Sequence, residues 1–210
     1  MSCRIGLLAD IHASAAPLEE ALALFAKRGV DRILCAGDIA GYGDALTRSV
    51  ELLIEAGCEA VSGNHDRWHL EDRCPRDYTP AETWLAGLPS FRRFSIEGRR
   101  LYLVHARPPD HDRHGIKLLD ETGELIPAQK KDWQQRLRDF DSDVLIVGHT
   151  HQVFCERLGH LQVANPGSPC FNHSCAILSL PQMQFEVFAL SGKAVLKSWN
   201  WGSFLAGQSR

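Results

Sequence analysis

The sequence lacks the features that mark membrane-spanning, secreted and nucleic-acid-coating proteins. No apolar run approaches the roughly 20 residues of a transmembrane helix, and the first residues contain no basic segment followed by an apolar core. The net charge of -3 gives no electrostatic reason to expect strong nucleic-acid binding. We therefore expect a cytoplasmic protein that has no membrane partner.

A regular cysteine framework is also missing. The seven cysteines are odd in number, are scattered along the chain and form no C-x-x-C pair. Several of them lie in apolar segments that are typical of strands. This pattern favours small, buried and reduced side chains over a set of disulfides.

What the sequence does contain is typical of one globular domain. Its 210 residues are enough for a sizeable core, or for two small domains at most. The hydrophobic fraction of 44% and the charged fraction of 23% are those of an ordinary soluble protein. Because no repeat, low-complexity segment or linker divides the chain, we interpret residues 1–210 as a single domain.

The order of the predicted elements indicates an α/β fold. Strand patterns at 3–9, 31–37 and 58–63 alternate with helix patterns at 16–29 and about 45–55, which indicates βαβ units and a parallel sheet. The middle of the chain predicts, in order, a helix at 79–89, a hairpin around residues 97–98, a long loop at 106–126, a helix from about 127 and a strand at 142–148. Short strands then follow at 153–158, 161–164, 174–180, 184–190 and 194–199, which predicts a mostly antiparallel end.

Polar side chains that can bind metals or move protons follow five of the predicted strands. In chain order they are Asp10 and His12, Asp38, Asn64 with His65 and Asp66, His105, and His149 with His151. Ligands of α/β sheets collect at the carboxyl ends of strands, so these side chains are expected to meet at one edge. Imidazole, carboxylate and amide ligands without thiolates suit Mn, Fe, Co, Ni or Zn in an open catalytic site.

Each of these motifs has an ordinary alternative when it is considered alone. An isolated Asp-x-His is more often a turn beside a surface histidine. Asp38 could cap the following helix, and Asn64 could occupy a left-handed turn position. Their joint occurrence at five strand ends favours a metal centre.

The motifs resemble those of the calcineurin-like metallophosphoesterase superfamily, and they occur in the same order. They are Asp10-x-His12, Gly37-Asp38-x-x-Gly41-Tyr42-Gly43, Gly63-Asn64-His65-Asp66, His105 and Gly148-His149-x-His151. The second motif and Asn165–Ser168 resemble the small, single-domain bacterial and archaeal phosphodiesterase branch. The resemblance implies two packed mixed β-sheets flanked by helices, a four-layer αββα sandwich.

The resemblance also implies a role for each residue. It implies two divalent transition-metal ions (Mn, Fe, Ni, Co or Zn) and a bridging hydroxide that attacks the phosphorus of a small phosphoester in line. The seven implied ligands are Asp10, His12 and His151 for one ion, Asn64, His105 and His149 for the other, and Asp38 as the bridge. His65 would act as the general acid, and Asp66 could orient it or tune its charge. The implied activity is that of a phosphodiesterase.

Some alternatives remain open at this stage. The second motif lacks the Asp-Arg pair that follows it in protein phosphatases and dinucleoside-tetraphosphate hydrolases, which argues against those substrates. The 106–126 loop could be a solvated surface loop, or Arg107 or Arg113 could grip a phosphate oxygen above the metals. A phosphomonoesterase, a metallo-hydrolase of another ester or amide bond, and a non-catalytic scaffold of the same fold are the competing functions.

Overall fold

The computed structural model describes residues 2–109 and 113–200. Its strands are β1 (Cys3–Leu8), β2 (Arg32–Cys35), β3 (Glu59–Ala60), β4 (Phe91–Ile96), β5 (Arg99–Val104), β6 (Val144–Ile146), β7 (Val153–Leu158), β8 (Leu161–Pro166), β9 (Ser174–Leu180) and β10 (Gln184–Ala189). Its α-helices are α1 (Ala15–Lys27), α2 (Leu46–Glu55), α3 (Asn64–Glu71), α4 (Pro80–Ala86) and α5 (Pro127–Arg136), and Pro75–Asp77 forms a 3₁₀ turn.

The strands form two mixed five-stranded sheets. The first has the order β10-β9-β1-β2-β3, in which β1, β2 and β3 are parallel and β9 is antiparallel to β1 and β10. The second has the order β4-β5-β6-β8-β7, in which β5, β6 and β8 are parallel and each edge strand is antiparallel. The arrangement confirms the predicted pair of mixed sheets flanked by helices.

The alternation of side chains along the strands builds three apolar layers. Leu101 and Leu103 of β5 point into a core between the two sheets, while Tyr102 and Val104 point to the outer side of the second sheet. The outer layer of the first sheet is packed beneath α1, α2 and α4, and the outer layer of the second sheet contains Trp133 of α5. Strands that are covered on both faces read as continuous apolar runs, which is why they are recognisable in the sequence.

Three sequence predictions need correction. The expected strand at 194–199 does not form, because its one strand-type pairing within the described residues is an isolated bridge between Gln152 and Ser198. Asn64 does not simply end a strand, since it begins helix α3. The 106–126 loop is not merely solvated, because Ile116 and Leu118 are buried in the outer layer of the second sheet.

The remaining predictions of element order agree with the structure. The carboxyl-terminal part is antiparallel at β7–β8 and β9–β10, although β8 also pairs in parallel with β6. All seven cysteines are free thiols. Within the described ranges, no helix combines the length and the apolar character needed to cross a bilayer.

Candidate metal centre

The two sheets bring their parallel strand ends to one place. Asp10 and His12 follow β1, Asp38 follows β2, Asn64 follows β3, and residues 105 and 149–151 follow β5 and β6 of the other sheet. The loops are joined by backbone hydrogen bonds: the amide of Asp10 donates to Gly37 O at 2.9 Å, and that of His12 donates to Asp38 O at 2.9 Å. All seven side chains predicted to be ligands therefore lie at one edge.

The first group comprises Asp10, His12 and His151, all of which are buried. His12 Nε2 lies 3.1 Å from His151 Nε2, and His151 Nε2 lies 3.5 Å from Asp10 Oδ1. Both oxygens of Asp10 also accept the amide of His149 at 3.0 Å, which ties the β1 loop to the β6 loop. This group corresponds to the first predicted set of ligands.

The second group contains His105 and His149, with Asn64 beside them. Asn64 Oδ1 lies 3.0 Å from His105 Nε2 and 2.9 Å from His149 Nδ1, and these two nitrogens are 3.2 Å apart. His105 Nδ1 donates to Ala36 O at 2.6 Å, so Nε2 is the ring nitrogen that faces the centre. Asp38 Oδ2 lies 3.2 Å from the same Nε2, so Asp38 stands at the junction of the groups.

These donor atoms have the spacing of ligands around a transition-metal ion. Bonds of roughly 2.1 Å place neighbouring ligand atoms roughly 3.0–3.4 Å apart in octahedral or tetrahedral geometry. Two neutral imidazoles whose nitrogens face each other at 3.1 Å need either a proton or a cation between them. The donor set thus fits divalent ions, and three overlapping groups of side chains have ligand atoms within 4.8 Å of one another.

Burial and mutual charge shift the titration of these groups. Burial lowers the pKa of His12 to about 4 despite the nearby Asp10 carboxylate, and it lowers that of His149 to about 4 with help from His105. Burial also lowers the pKa of His105, but Asp38, with help from Asp10 and the hydrogen bond to Ala36 O, raises it to about 9. Burial raises the pKa of Asp38, but His105, His12 and His65 together lower it further than burial raises it. Imidazoles and carboxylates bind metals in their deprotonated forms. His12 and His149 already have that form at neutral pH, whereas a metal ion would displace a proton from His105.

The backbone of the centre is unusual. Five of the seven predicted ligands have positive φ angles, namely Asp10 (54), His12 (51), Asp38 (52), His149 (67) and His151 (48). A residue with a side chain rarely adopts this conformation, which costs of order 1–3 kcal/mol and is concentrated at functional sites. Glycine is required close by, since a Cβ at Gly63 would lie 2.0 Å from Asp38 Oδ1.

His65 lies beside the first group at the start of α3. Its amide donates to Asp38 Oδ1 at 2.8 Å, and its half-buried ring has its centroid 4.9 Å from that of His12. Burial lowers the pKa of His65 although Asp38 opposes the shift, and a phosphate bound beside the ring would raise that pKa again. His65 also completes a third possible ligand group with His12 and Asp38, so its expected role as a proton donor stays a prediction.

Asp66 contacts the backbone of the neighbouring loop. Its Oδ1 accepts the amides of Ile39 at 2.8 Å and Ala40 at 2.7 Å, and its Oδ2 accepts that of Gly63 at 2.8 Å. Burial, helped by the Asp38 carboxylate, raises the pKa of Asp66 to about 6 against the opposing effect of these amides. The hydrogen bonds clamp the β2 loop to the start of α3, so Asp66 supports Asp38 and Asn64 through the backbone.

Three polar residues that were not predicted as site residues support the centre through backbone contacts. Asn172 Nδ2 donates to His151 O at 2.8 Å, and Ser168 Oγ donates to Asp10 O at 2.6 Å. Asn165 Nδ2 donates to Gly148 O at 3.0 Å, just before His149. Of these, only Asn165 and Ser168 belong to a motif noted above, and Asn172 would need knowledge of the long-range pairing to be found.

A cavity of about 340 Å³ opens over the centre. Its lining includes the candidate residues Asp38, Asn64, His65, His149 and His151, together with Tyr42, Trp68 and Trp199. Among the residues that the structure describes, neither Arg107 nor Arg113 lines this cavity, and Arg113 is exposed. The loop that carries them does approach the site, since a Cβ at Gly115 would lie 2.7 Å from His149 Cδ2.

The amino-acid sequence matches a known protein family. Residues 3–182 match the model of the calcineurin-like phosphoesterase superfamily domain. A protein of Methanothermobacter thermautotrophicus named a probable metallophosphoesterase is 36% identical over 170 residues, which are 79% of this chain and 76% of that protein.

Solved structures share the fold. The crystal structure of a hypothetical protein from Pyrococcus horikoshii OT3 matches with a TM-score of 0.73 and 12% identity, over 99% of this chain and 92% of that one. A structure described as that of a novel archaeal phosphodiesterase matches with a TM-score of 0.60 and 16% identity, over 89% and 99% of the two chains. The match to the family model over residues 3–182 and the 36% identical relative show that the chain belongs to the calcineurin-like phosphoesterase superfamily.

Proposed function

We propose that the protein is a phosphodiesterase that uses two divalent metal ions. The observation that carries this proposal is the convergence of seven nitrogen- and oxygen-bearing side chains from five strand ends at one edge of the sheets, where four of them line a cavity. Asp10, His12 and His151 would hold one ion, Asn64, His105 and His149 the other, and Asp38 would bridge them. The phosphodiesterase activity described for one structural neighbour supports the same choice.

The bound ions would activate a water molecule as the nucleophile and neutralise the charge on the phosphoryl oxygens. The chain itself supplies the orientation. The hydrogen bond from His105 to Ala36 O fixes which ring nitrogen faces the centre, and the amide of His65 fixes one oxygen of Asp38. His65, at the edge of the cavity, would give a proton to the departing oxygen.

The shape of the site favours diesters. The cavity of about 340 Å³ is lined by Asp38, His65 and Trp68 without any lysine or arginine among the described residues. A phosphomonoester carries two charges whose terminal oxygens gain from such cations, whereas a diester carries one charge and needs space on both sides of the phosphorus. We therefore expect a diester to react faster than the corresponding monoester at neutral to alkaline pH.

The test compares bis(4-nitrophenyl) phosphate with 4-nitrophenyl phosphate after loading the protein with Mn, Ni, Co or Zn. The expected result is faster release of nitrophenolate from the diester, about two bound metal ions per chain by elemental analysis, and loss of activity after chelation. A preference for the monoester would instead identify a phosphomonoesterase. A protein that neither binds nor is activated by any of these ions would be the non-catalytic scaffold.

A further inference from the structure

Two exposed aromatic side chains stand at the rim of the candidate metal centre and have no part in the chemistry above. Tyr42 is 49% exposed and Trp68 is 56% exposed, and both line the cavity that also contains Asp38 and Asn64. A large exposed aromatic surface beside a polar cavity is typical of a ligand-binding site. The two side chains are therefore candidates for direct contact with the substrate.

The two rings flank the proposed proton donor. The centroid of the Tyr42 ring lies 4.8 Å from that of His65, and the centroid of the Trp68 ring lies 4.9 Å from it. Tyr42 also lies 4.8 Å from the ring of His12. The two rings therefore lie on the side of the cavity where a group protonated by His65 would leave.

The chain holds both rings in place. The loop that carries Tyr42 packs closely on the β1 loop, because the amide of Gly43 donates to His12 O at 2.8 Å and a Cβ at Gly41 would lie 2.2 Å from His12 Nδ1. Trp68 follows His65 by three residues on α3, so the two side chains share one face of the helix. Both aromatic residues thus belong to segments that contact or carry candidate ligands: the loop that packs on His12 and the helix that begins with Asn64.

The charged residues of the cavity lining limit which substituents can bind there. Within the described part of the chain, the cavity lining contains no lysine or arginine that could pair with further phosphates. In contrast, any planar nucleobase can stack on a tyrosine or tryptophan ring, because stacking does not depend on which base it is. A phosphodiester with a single phosphate and a planar base fits both observations.

Resting on the phosphodiesterase proposal, we propose that Tyr42 and Trp68 form a stacking subsite for a nucleobase. The preferred substrates would then be phosphodiesters of nucleosides, with the phosphate at the metals and the base against the two rings. Diesters of small alkyl groups would bind the centre through the phosphate alone.

The experiment separates the base from the phosphate. AMP and ribose 5-phosphate carry the same phosphate and sugar, so calorimetric titration of the manganese-loaded protein with each compound isolates the contribution of the base. We expect AMP to bind roughly 10-fold more tightly, which lies within the range measured for stacking of one base on aromatic side chains. The same ratio should appear in the inhibition constants of the two compounds against bis(4-nitrophenyl) phosphate hydrolysis.

Variants of the aromatic residues test whether the preference for AMP depends on the proposed subsite. Trp68→Ala should abolish most of the preference for AMP and leave the affinity for ribose 5-phosphate unchanged, whereas Trp68→Phe, which keeps a ring, should retain much of it. The control is Phe91→Ala, which removes an exposed aromatic side chain that does not line the cavity.

The outcomes distinguish this inference from the proposed activity. Equal affinities for AMP and ribose 5-phosphate, or no binding of either compound, overturn the subsite. If the enzyme still hydrolyses bis(4-nitrophenyl) phosphate in that case, the proposed activity stands. If hydrolysis is absent with every metal while AMP is still preferred, the activity is wrong and the subsite is supported.

Discussion

The layer between the two sheets and the edge where their strands end differ in the side chains that they bury. Between the sheets, side chains such as Leu7, Leu103 and Ile146 are fully buried and apolar. At the edge, Asp10, His12 and other polar side chains are just as deeply buried, and many have positive φ angles. The apolar layer between the sheets stabilises the folded state, whereas the polar edge destabilises it.

This difference shows how the fold can support an unfavourable site. Burial of apolar area contributes roughly 25 cal/mol per Å² to stability, whereas desolvated charges and left-handed residues reduce it. The polar groups at the edge are partly compensated by hydrogen bonds, such as those of Asp66 to the Ile39 and Ala40 amides. A bound cation would compensate the remaining charge, so we expect changes at the edge to affect metal binding and changes between the sheets to affect stability.

The largest effect is expected from Asp38→Asn. The substitution keeps the shape of the side chain and removes the negative charge proposed to bridge both ions, so metal content should fall from about two ions per chain to below one, with loss of activity. Elemental analysis after dialysis measures this, and circular dichroism shows whether the fold persists. Asp44→Asn is the control, because it makes the same change at an exposed position of the same loop. Retention of both ions by Asp38→Asn would contradict the bridging role.

The next effect separates His65 from the proposed ligands. His65→Ala should keep both ions and lower the rate by roughly 100- to 10,000-fold on a diester with an alkoxide leaving group, such as a dinucleotide. With bis(4-nitrophenyl) phosphate the loss should be much smaller, because nitrophenolate departs without a proton.

His149→Ala is the matched comparison for His65. Loss of a ligand should reduce metal content and activity together, by a similar factor on both substrates. The two variants are compared by metal stoichiometry and by rate on each diester. If His65→Ala loses an ion, or slows both substrates equally, the role of His65 as general acid is wrong. Loss of an ion would in addition make His65 a ligand, together with His12 and Asp38.

A third prediction concerns the layer between the sheets. Leu103→Ala should reduce the free energy of unfolding by about 2–5 kcal/mol, because it leaves a cavity in the fully buried core. The number of ions bound per folded chain should stay the same, since no strand-end loop is altered. Urea denaturation measures the stability, and Ile54→Ala, which truncates an exposed side chain on α2, should change it by less than about 0.5 kcal/mol. A loss of metal in folded Leu103→Ala would mean that the two regions are coupled.

The same contrast explains which parts of the structure the sequence can predict. The strands are recognisable because apolar runs such as Val144–Ile146 are covered on both faces, and the site is recognisable because Asp10, Asp38 and His105 directly follow such runs. The supporting contacts are not recognisable in the sequence. The hydrogen bond from Asn172 to His151 O, for example, joins residues that are far apart in the chain and belong to no local motif. Apolar composition also misleads at 194–199, where the segment reads as a strand but has no partner strand beyond one bridge.

The smallest effect is expected from Asp66→Asn, which tests whether Asp66 acts through the backbone or through His65. The carboxylate accepts three amides, from Ile39, Ala40 and Gly63, and an asparagine side chain can accept only on its oxygen. Its amide group would then face at least one backbone donor, which should destabilise the fold by about 1–3 kcal/mol.

Because the clamp joins the β2 loop to α3, Asp66→Asn should also weaken metal binding modestly and lower the rate by a similar factor on alkoxide and nitrophenolate diesters. Denaturation curves, metal affinity and the two rates are measured together. Unchanged stability with a loss confined to the alkoxide substrate would instead show that Asp66 serves the proton donor, since only protonation of the leaving group distinguishes the two diesters. A uniform loss that accompanies lower stability would place Asp66 with the scaffold of the site, where its backbone contacts already put it.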